Sequence, residues 1–217
     1  MSNGQTRTAG FRETIEGRHS VRQYDPSAQI SEQELRELIQ ETTLAPSAMN
    51  LQTWRFLILT DPALKQKLFP ITNGQRHVLD ASAVIVIFGD LDAFQEPWRE
   101  RIFTKAVAEG RMTEEAKENA LATARRSPAK SLQAMRDSLL INGSLAAMQL
   151  MLAARARGYD TVPMTGYEVA AFREAFAVPD HLVNVLMLAL GKAAHPVNAT
   201  VRLDVDDLVY WNALPPR

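Results

Sequence analysis

Two cationic residues flank a hydroxyl in Arg18-His19-Ser20-Val21-Arg22. Guanidinium groups donate in a fixed plane and stay charged, so Arg18 and Ser20 together suit a phosphate dianion. A solvated basic turn has the same composition, and so short a motif does not separate the two on its own. About one helix later stands Pro46-Ser47-Ala48-Met49-Asn50-Leu51-Gln52-Thr53-Trp54. Its small residues let the main chain approach a planar ring closely. The amides of Asn50 and Gln52 can bridge to ligand hydroxyls or to the turn's own backbone. The plainer alternative is a helix-ending proline followed by a polar loop. Two later stretches are also rich in donors. Asn73-Gly74-Gln75-Arg76-His77 precedes an apolar run, and Gly158 to Tyr167 carries Thr165 and Gly166. A glycine at 166 has no Cβ to hold a ligand off the main chain, while Gly158 reads as a helix C-cap.

Taken together and in this order, the first two motifs resemble those of the FMN-dependent nitroreductase family, roughly R-x-S-x-R/K and P-S-x-x-N-x-Q-P-W. Thr53 departs from the second motif, where the family usually has Pro. The resemblance implies bound FMN, NADH or NADPH as co-substrate, and a homodimer whose subunits each supply one of the two motifs to a flavin site. It implies that Arg18, His19 and Ser20 hold the cofactor and that Arg22 faces the flavin's N1–C2 carbonyl edge. Pro46, Ser47, Ala48, Asn50 and Gln52 make up the second wall. From the loop at 73–77 it implies one amide contact, with Gln75 ahead of Asn73 and His77; a plain surface loop is the alternative. Thr165-Gly166 matches the family's G-x-x-x-x-P-M-x-G segment, which turns a backbone N–H toward flavin N5, although many members carry an acidic residue in place of Thr165. Near 198–202 the family often has a K-x-R phosphate grip. Only Arg202 survives here, with Lys192 as a compensating cation.

The elements that position these residues follow from periodicity and punctuation. Residues 10–18 read as a short helix. Ser31-Glu32-Gln33-Glu34 is a capping box, and Leu35, Leu38, Ile39 and Thr42 then keep helical spacing up to Pro46. Asp61-Pro62 opens another helix. Residues 92–127 form a charged helical pair broken at Gly110, and Ser131 to Arg157 forms the longest helix. A shorter helix spans Glu168 to Ala175. Three strands are expected, at Trp54 to Thr60, Ala83 to Phe88 and Val183 to Leu190. The expected fold is α+β, and the resemblance sharpens it to a mixed-sheet α/β/α sandwich in an intertwined homodimer. We read residues 1–217 as one FMN-binding domain. Within it, 92–130 is a possible lid and 192–217 an arm across the partner subunit.

Composition bounds the function. With 46% hydrophobic and 23% charged residues, the chain falls in the ordinary soluble globular class. A net charge of −1 argues against general affinity for nucleic acid or anionic membrane. The absence of cysteine excludes disulfides, thiolate metal sites and a Cys nucleophile, and fits a cytoplasmic setting. His19, His77, His181 and His195 have no metal-ligand spacing, so no metal is expected. Rossmann, P-loop and nucleophile-elbow motifs are missing. The reading that results is an FMN oxidoreductase passing electrons from NAD(P)H to a nitroaromatic, quinone or related acceptor by a ping-pong mechanism. The alternative is a non-catalytic flavin carrier or sensor on the same fold.

Overall fold

Strand phase and helix punctuation account for most of the architecture. The computed structural model describes residues 10–128, 130–197 and 200–214. One sheet contains β1 (Trp54–Leu59), β2 (Ala83–Asp90), β3 (Asp160–Met164) and β4 (Leu182–Gly191). Its order is β1-β2-β4-β3, and each neighbouring pair is antiparallel. Parallel pairing among the described residues is confined to an isolated bridge between Ser20 and Thr161. β2 is buried along its whole length, as its unbroken apolar run requires.

β3 adds a fourth strand to the three expected. It occupies part of the segment read from the sequence as a cap and turn. Pro163 within it cannot donate to a ladder, which an edge strand tolerates.

Alternate residues of the sheet face two helical layers. Ile85, Ile87, Leu188 and Leu190 pack against α2 (Glu32–Thr42) through Leu35 and Leu38. The same face packs against α7 (Leu132–Ala156) through Ala147, Leu150 and Ala154. On the other face, Val84, Val86, Met187 and Ala189 meet Leu68 and Ile71 of α3 (Pro62–Ile71). Val78 of α4 (His77–Asp80) and Phe172 of α8 (Val169–Ala175) complete that layer. The result is an α/β/α sandwich.

The helix starts obey their local signals. Ser31 accepts from the N–H of Glu34, whose carboxylate returns a bond to the Ser31 N–H. Asp61 caps α3 with Pro62 at its first position, and Ser131 caps α7. Gly158 ends the α7 region at φ +81°.

α7 crosses the sheet very closely. A Cβ on Gly143 would stand 2.6 Å from a methyl of Val185. This helix has the length and hydropathy of a membrane span, yet Leu139, Ala146, Leu150 and Ala154 bury it against the sheet. Its opposite face leaves Ile141, Leu145 and Met148 exposed. Phe11 and Ile15 of α1 (Phe11–Gly17), which packs on α7, are exposed as well.

α5 (Glu96–Ala108) and α6 (Glu114–Arg126) form a hairpin, with Arg125 donating to Glu96 across it at 2.6 Å. After β4 the chain leaves the sandwich. Residues 200–214 are exposed throughout, including Leu208, Tyr210 and Trp211. Asn198, Ala199, Pro215 and Pro216 lie outside the described residues.

Candidate functional site

The first basic motif is fixed along the β3 edge. Ser20 bridges Thr161, and the N–H of Val21 donates to the Thr161 carbonyl at 3.1 Å. Val21 and Tyr24 point into the core, and the Tyr24 hydroxyl donates to the Ala189 carbonyl at 3.1 Å. The chain then pairs with the segment after β4, where the Asp25 N–H donates to the Lys192 carbonyl at 2.9 Å. Anchoring Val21 and Tyr24 inward leaves Arg18, His19 and Ser20 half-buried and Arg22 exposed. Among the described residues, Arg18, Arg22 and Lys192 have no carboxylate within ion-pair distance.

The loop at 73–77 meets the glycine segment at the same edge. The amides of Asn73 and Gln75 both donate to the Gly166 carbonyl, each at 3.2 Å. His77 is buried, with Nε2 2.9 Å from the sulfur of Met164. Burial pushes its imidazole below the usual pKa, and the charge of Arg22 adds to that push. Gly166 itself is exposed, and nothing lies within 4 Å of where its Cβ would stand. Its N–H finds no acceptor among the described residues. Thr165 is exposed beside it.

The second motif is a tight loop held by side chains from three directions. Met49, Asn50 and Gln52 have φ of 55°, 52° and 48°, in the left-handed region that costs non-glycine residues on the order of 1–2 kcal/mol each. Several bonds hold that geometry. Ser47 Oγ accepts from the Gln52 N–H at 3.0 Å. Asn142, buried in α7, accepts from the Ala48 N–H at 3.2 Å and donates to the Thr53 hydroxyl at 3.3 Å. Trp98 of α5 donates its indole N–H to the Leu51 carbonyl at 2.7 Å. Arg55 donates to the carbonyls of Gln52 and Trp54, and pairs with Asp90 at 2.6 Å while stacking 4.1 Å from the Trp98 ring. Pro46, Ala48 and Asn50 are exposed on the loop.

One chain does not join the two halves. The sheet places motif one beyond β3 and motif two before β1, at opposite edges. Four inter-strand spacings of about 4.8 Å put them roughly 19 Å apart. A cleft of about 810 Å³ between α2 and β1 is bordered by Gln52, Arg55 and Trp98, and motif one does not reach it. Among the described residues, Arg202 donates to Thr200 and Val201 on the tail and to neither half.

Asn142, Arg55, Trp98 and the hydroxyl of Thr53 were missed as loop-positioning groups. Asn142 left a signal, a carboxamide in an apolar helix; the others left none. Asp90, Asp92 and His181 bring ligand atoms within 4.8 Å of one another. Asp90 is already committed to Arg55 and to the Asp92 N–H. Tyr24 and Tyr167 are buried, and burial pushes both phenols up, so neither is a ready proton donor.

The family model described as the nitroreductase family matches residues 15–192. The chain belongs to the nitroreductase family. It is 40% identical to YdgI of Bacillus subtilis, named as an NAD(P)H nitroreductase, over 94% of this chain and 99% of that protein. It is 32% identical to the CLA biosynthesis enone reductase of Lactiplantibacillus plantarum, over 86% of this chain and 87% of that one. A crystal structure described as a nitroreductase in complex with FMN, from Exiguobacterium sibiricum, superposes with a TM-score of 0.87 at 40% identity. It covers 96% of this chain and all of that one.

Proposed function

We propose that the protein is a homodimeric FMN-dependent oxidoreductase. It oxidises NADH or NADPH and reduces a nitroaromatic, quinone or related electron-poor acceptor in ping-pong half-reactions. The observation that carries this reading is that the β3 side of the sheet presents Arg18 and Arg22, neither ion-paired among the described residues, along the strand that ends at the open main chain of Gly166. Likeness to NAD(P)H nitroreductases and to an FMN-bound relative supports it.

The donor set fits FMN. A terminal phosphate needs charge and hydroxyl donors, and Arg18 and Ser20, with His19 between them, have that character; Lys192 adds charge beside Asp25 and Asp160. Bound FMN would supply hydride acceptance and electron delivery, which no side chain here provides. Arg22 is a fixed cation for the pyrimidine edge, favouring negative charge there. Gly166 offers its N–H with no side chain in the way, and Thr165 adjoins it. Gln75 and Asn73 hold the Gly166 carbonyl, so Gln75 acts by aiming this main chain. Pro46, Ser47, Ala48, Asn50 and Gln52 supply the second wall to a neighbouring copy's site.

The roughly 19 Å gap between the two motifs within one chain supports the dimer. The tail after Lys192 is the arm that crosses to the second copy and carries Arg202 with it. The α5–α6 hairpin, tied to the second motif through Trp98, is the lid. Dependence on reduced nicotinamide and the lack of cysteine suit the cytoplasm.

The test is to purify the protein with flavin added, denature it and identify what is released. We expect FMN, bleached by NAD(P)H before denaturation and restored by air. Stoichiometric FAD, or no flavin, overturns the cofactor assignment. Flavin that NAD(P)H does not bleach would leave a carrier instead.

A further inference from the structure

A separate cleft of about 760 Å³ opens between the second-motif loop and the α5–α6 hairpin. Its volume lies within the range of small-molecule sites. Met49, Phe94 and Met135 give it apolar wall, while Asn119 and Thr123 of α6 give it polar wall. Two cations line it, Arg99 and Lys130, and no carboxylate does.

Arg99 is short of partners. Its Nε is buried and has no acceptor among the described residues. Glu96, one turn earlier on α5, would be the natural partner. That carboxylate instead accepts from Nε and Nη2 of Arg125 at 3.1 and 2.6 Å. Arg125 is also the main reason the Glu96 carboxyl lies below its usual range, with Arg99 a lesser cause. Lys130 places its ammonium 5.7 Å from the centre of the Phe94 ring. A buried donor without an acceptor is unfavourable, and native structures rarely leave one unexplained.

We propose that this cleft binds the carboxylate of an amphipathic organic acid, with Arg99 and Lys130 on the anion and Met49, Phe94 and Met135 on the hydrocarbon. A guanidinium fork matches a carboxylate in plane, and the mixed wall favours an acid with an apolar body over a sugar phosphate. Because Met49 belongs to the second-motif loop, the cleft selects among electron acceptors at the flavin site. The proposal in this form rests on that loop being flavin-facing.

The experiment compares 4-nitrobenzoate with its methyl ester, which share a ring and differ in charge. FMN-loaded protein is assayed for KM with each at pH 7, and equilibrium dialysis measures affinity without turnover. We expect the acid to be preferred about tenfold, the scale of one charged hydrogen bond. The Arg99→Gln/Lys130→Gln double variant should bring the ratio near one, and Arg99→Lys should keep part of it. If the double variant does not fold, Lys130→Gln alone should lower the ratio. Equal affinities in the wild type, or a ratio that survives loss of both cations, overturns the proposal. If neither compound is reduced but dialysis still shows the preference, the redox reading fails while the anion site stands.

Discussion

Arg22 is held in place by its neighbours rather than by a counter-ion: Val21 and Tyr24 are buried on either side of it, and the guanidinium stays exposed. A cation left free in this way can respond to charge that develops on a ligand. Replacing it should therefore act on the reaction more than on binding. We expect Arg22→Ala to slow flavin reduction by NAD(P)H by about 1.5–3 kcal/mol, the scale of a charged hydrogen bond, with FMN retained. Stopped-flow reduction at the wild-type rate would refute the role. His77 adds a pH dependence. Its folded-state pKa lies below the ordinary value of about 6.5, first through burial and then through Arg22, so unfolded chains take up the proton first. Its contribution to stability is complete above about pH 6.5 and is lost as pH falls through the folded value. Thermal unfolding across this range should show a shallower acid slope for His77→Gln than for wild type. At this scale the sequence revealed which residues carry donors, but not how they are committed. Gln75, expected on a ligand, also donates to the Gly166 carbonyl. Thr53 looked like a departure from a motif, yet its hydroxyl accepts from Asn142, which also holds the Ala48 N–H. Such a contact spans 89 residues, and no local pattern encodes it.

Elements with strong local signals were legible to within a few residues. The capping box at Ser31, the Asp61-Pro62 start and the Gly158 stop all form as read. β3 was not legible, because a five-residue strand containing proline lacks the usual strand pattern, and only its edge position makes it tolerable. The closeness of α7 to the sheet was equally hidden. In an exposed helix interior, Gly→Ala stabilises by roughly 0.5–1 kcal/mol. At Gly143 the added carbon would meet Val185 at 2.6 Å, and overpacking of this kind costs about 1–3 kcal/mol. The second effect outweighs the first, so Gly143→Ala should lower the midpoint of urea unfolding. A raised midpoint would show that α7 can lift off the sheet without cost.

At the scale of the whole molecule, one chain leaves too much apolar surface uncovered. Ile141, Leu145 and Met148 form a ridge on α7, and Phe11 and Ile15 of α1 are also exposed. The tail adds Leu203, Val205, Leu208, Tyr210 and Trp211, which is 83% exposed. Exposed apolar surface on this scale fits an interaction surface, and a two-fold interface would bury each feature twice. The sequence showed the excess on α7 and the tail's composition, but a single chain's pattern shows the need for cover rather than what supplies it. The sheet order points the same way, since motif one and motif two lie at opposite edges of the sheet within one chain. Truncation after His195 tests this directly. Residues 200–214 are exposed throughout, so their loss should leave the sandwich and its far-ultraviolet circular dichroism unchanged. It should nonetheless dissociate the dimer in analytical ultracentrifugation and release FMN, because each site loses the cover and the Arg202 brought by the other copy. A truncated chain that still sediments as a flavin-loaded dimer would remove the arm from the interface. A wild-type monomer holding FMN tightly would remove the dimer from the site altogether.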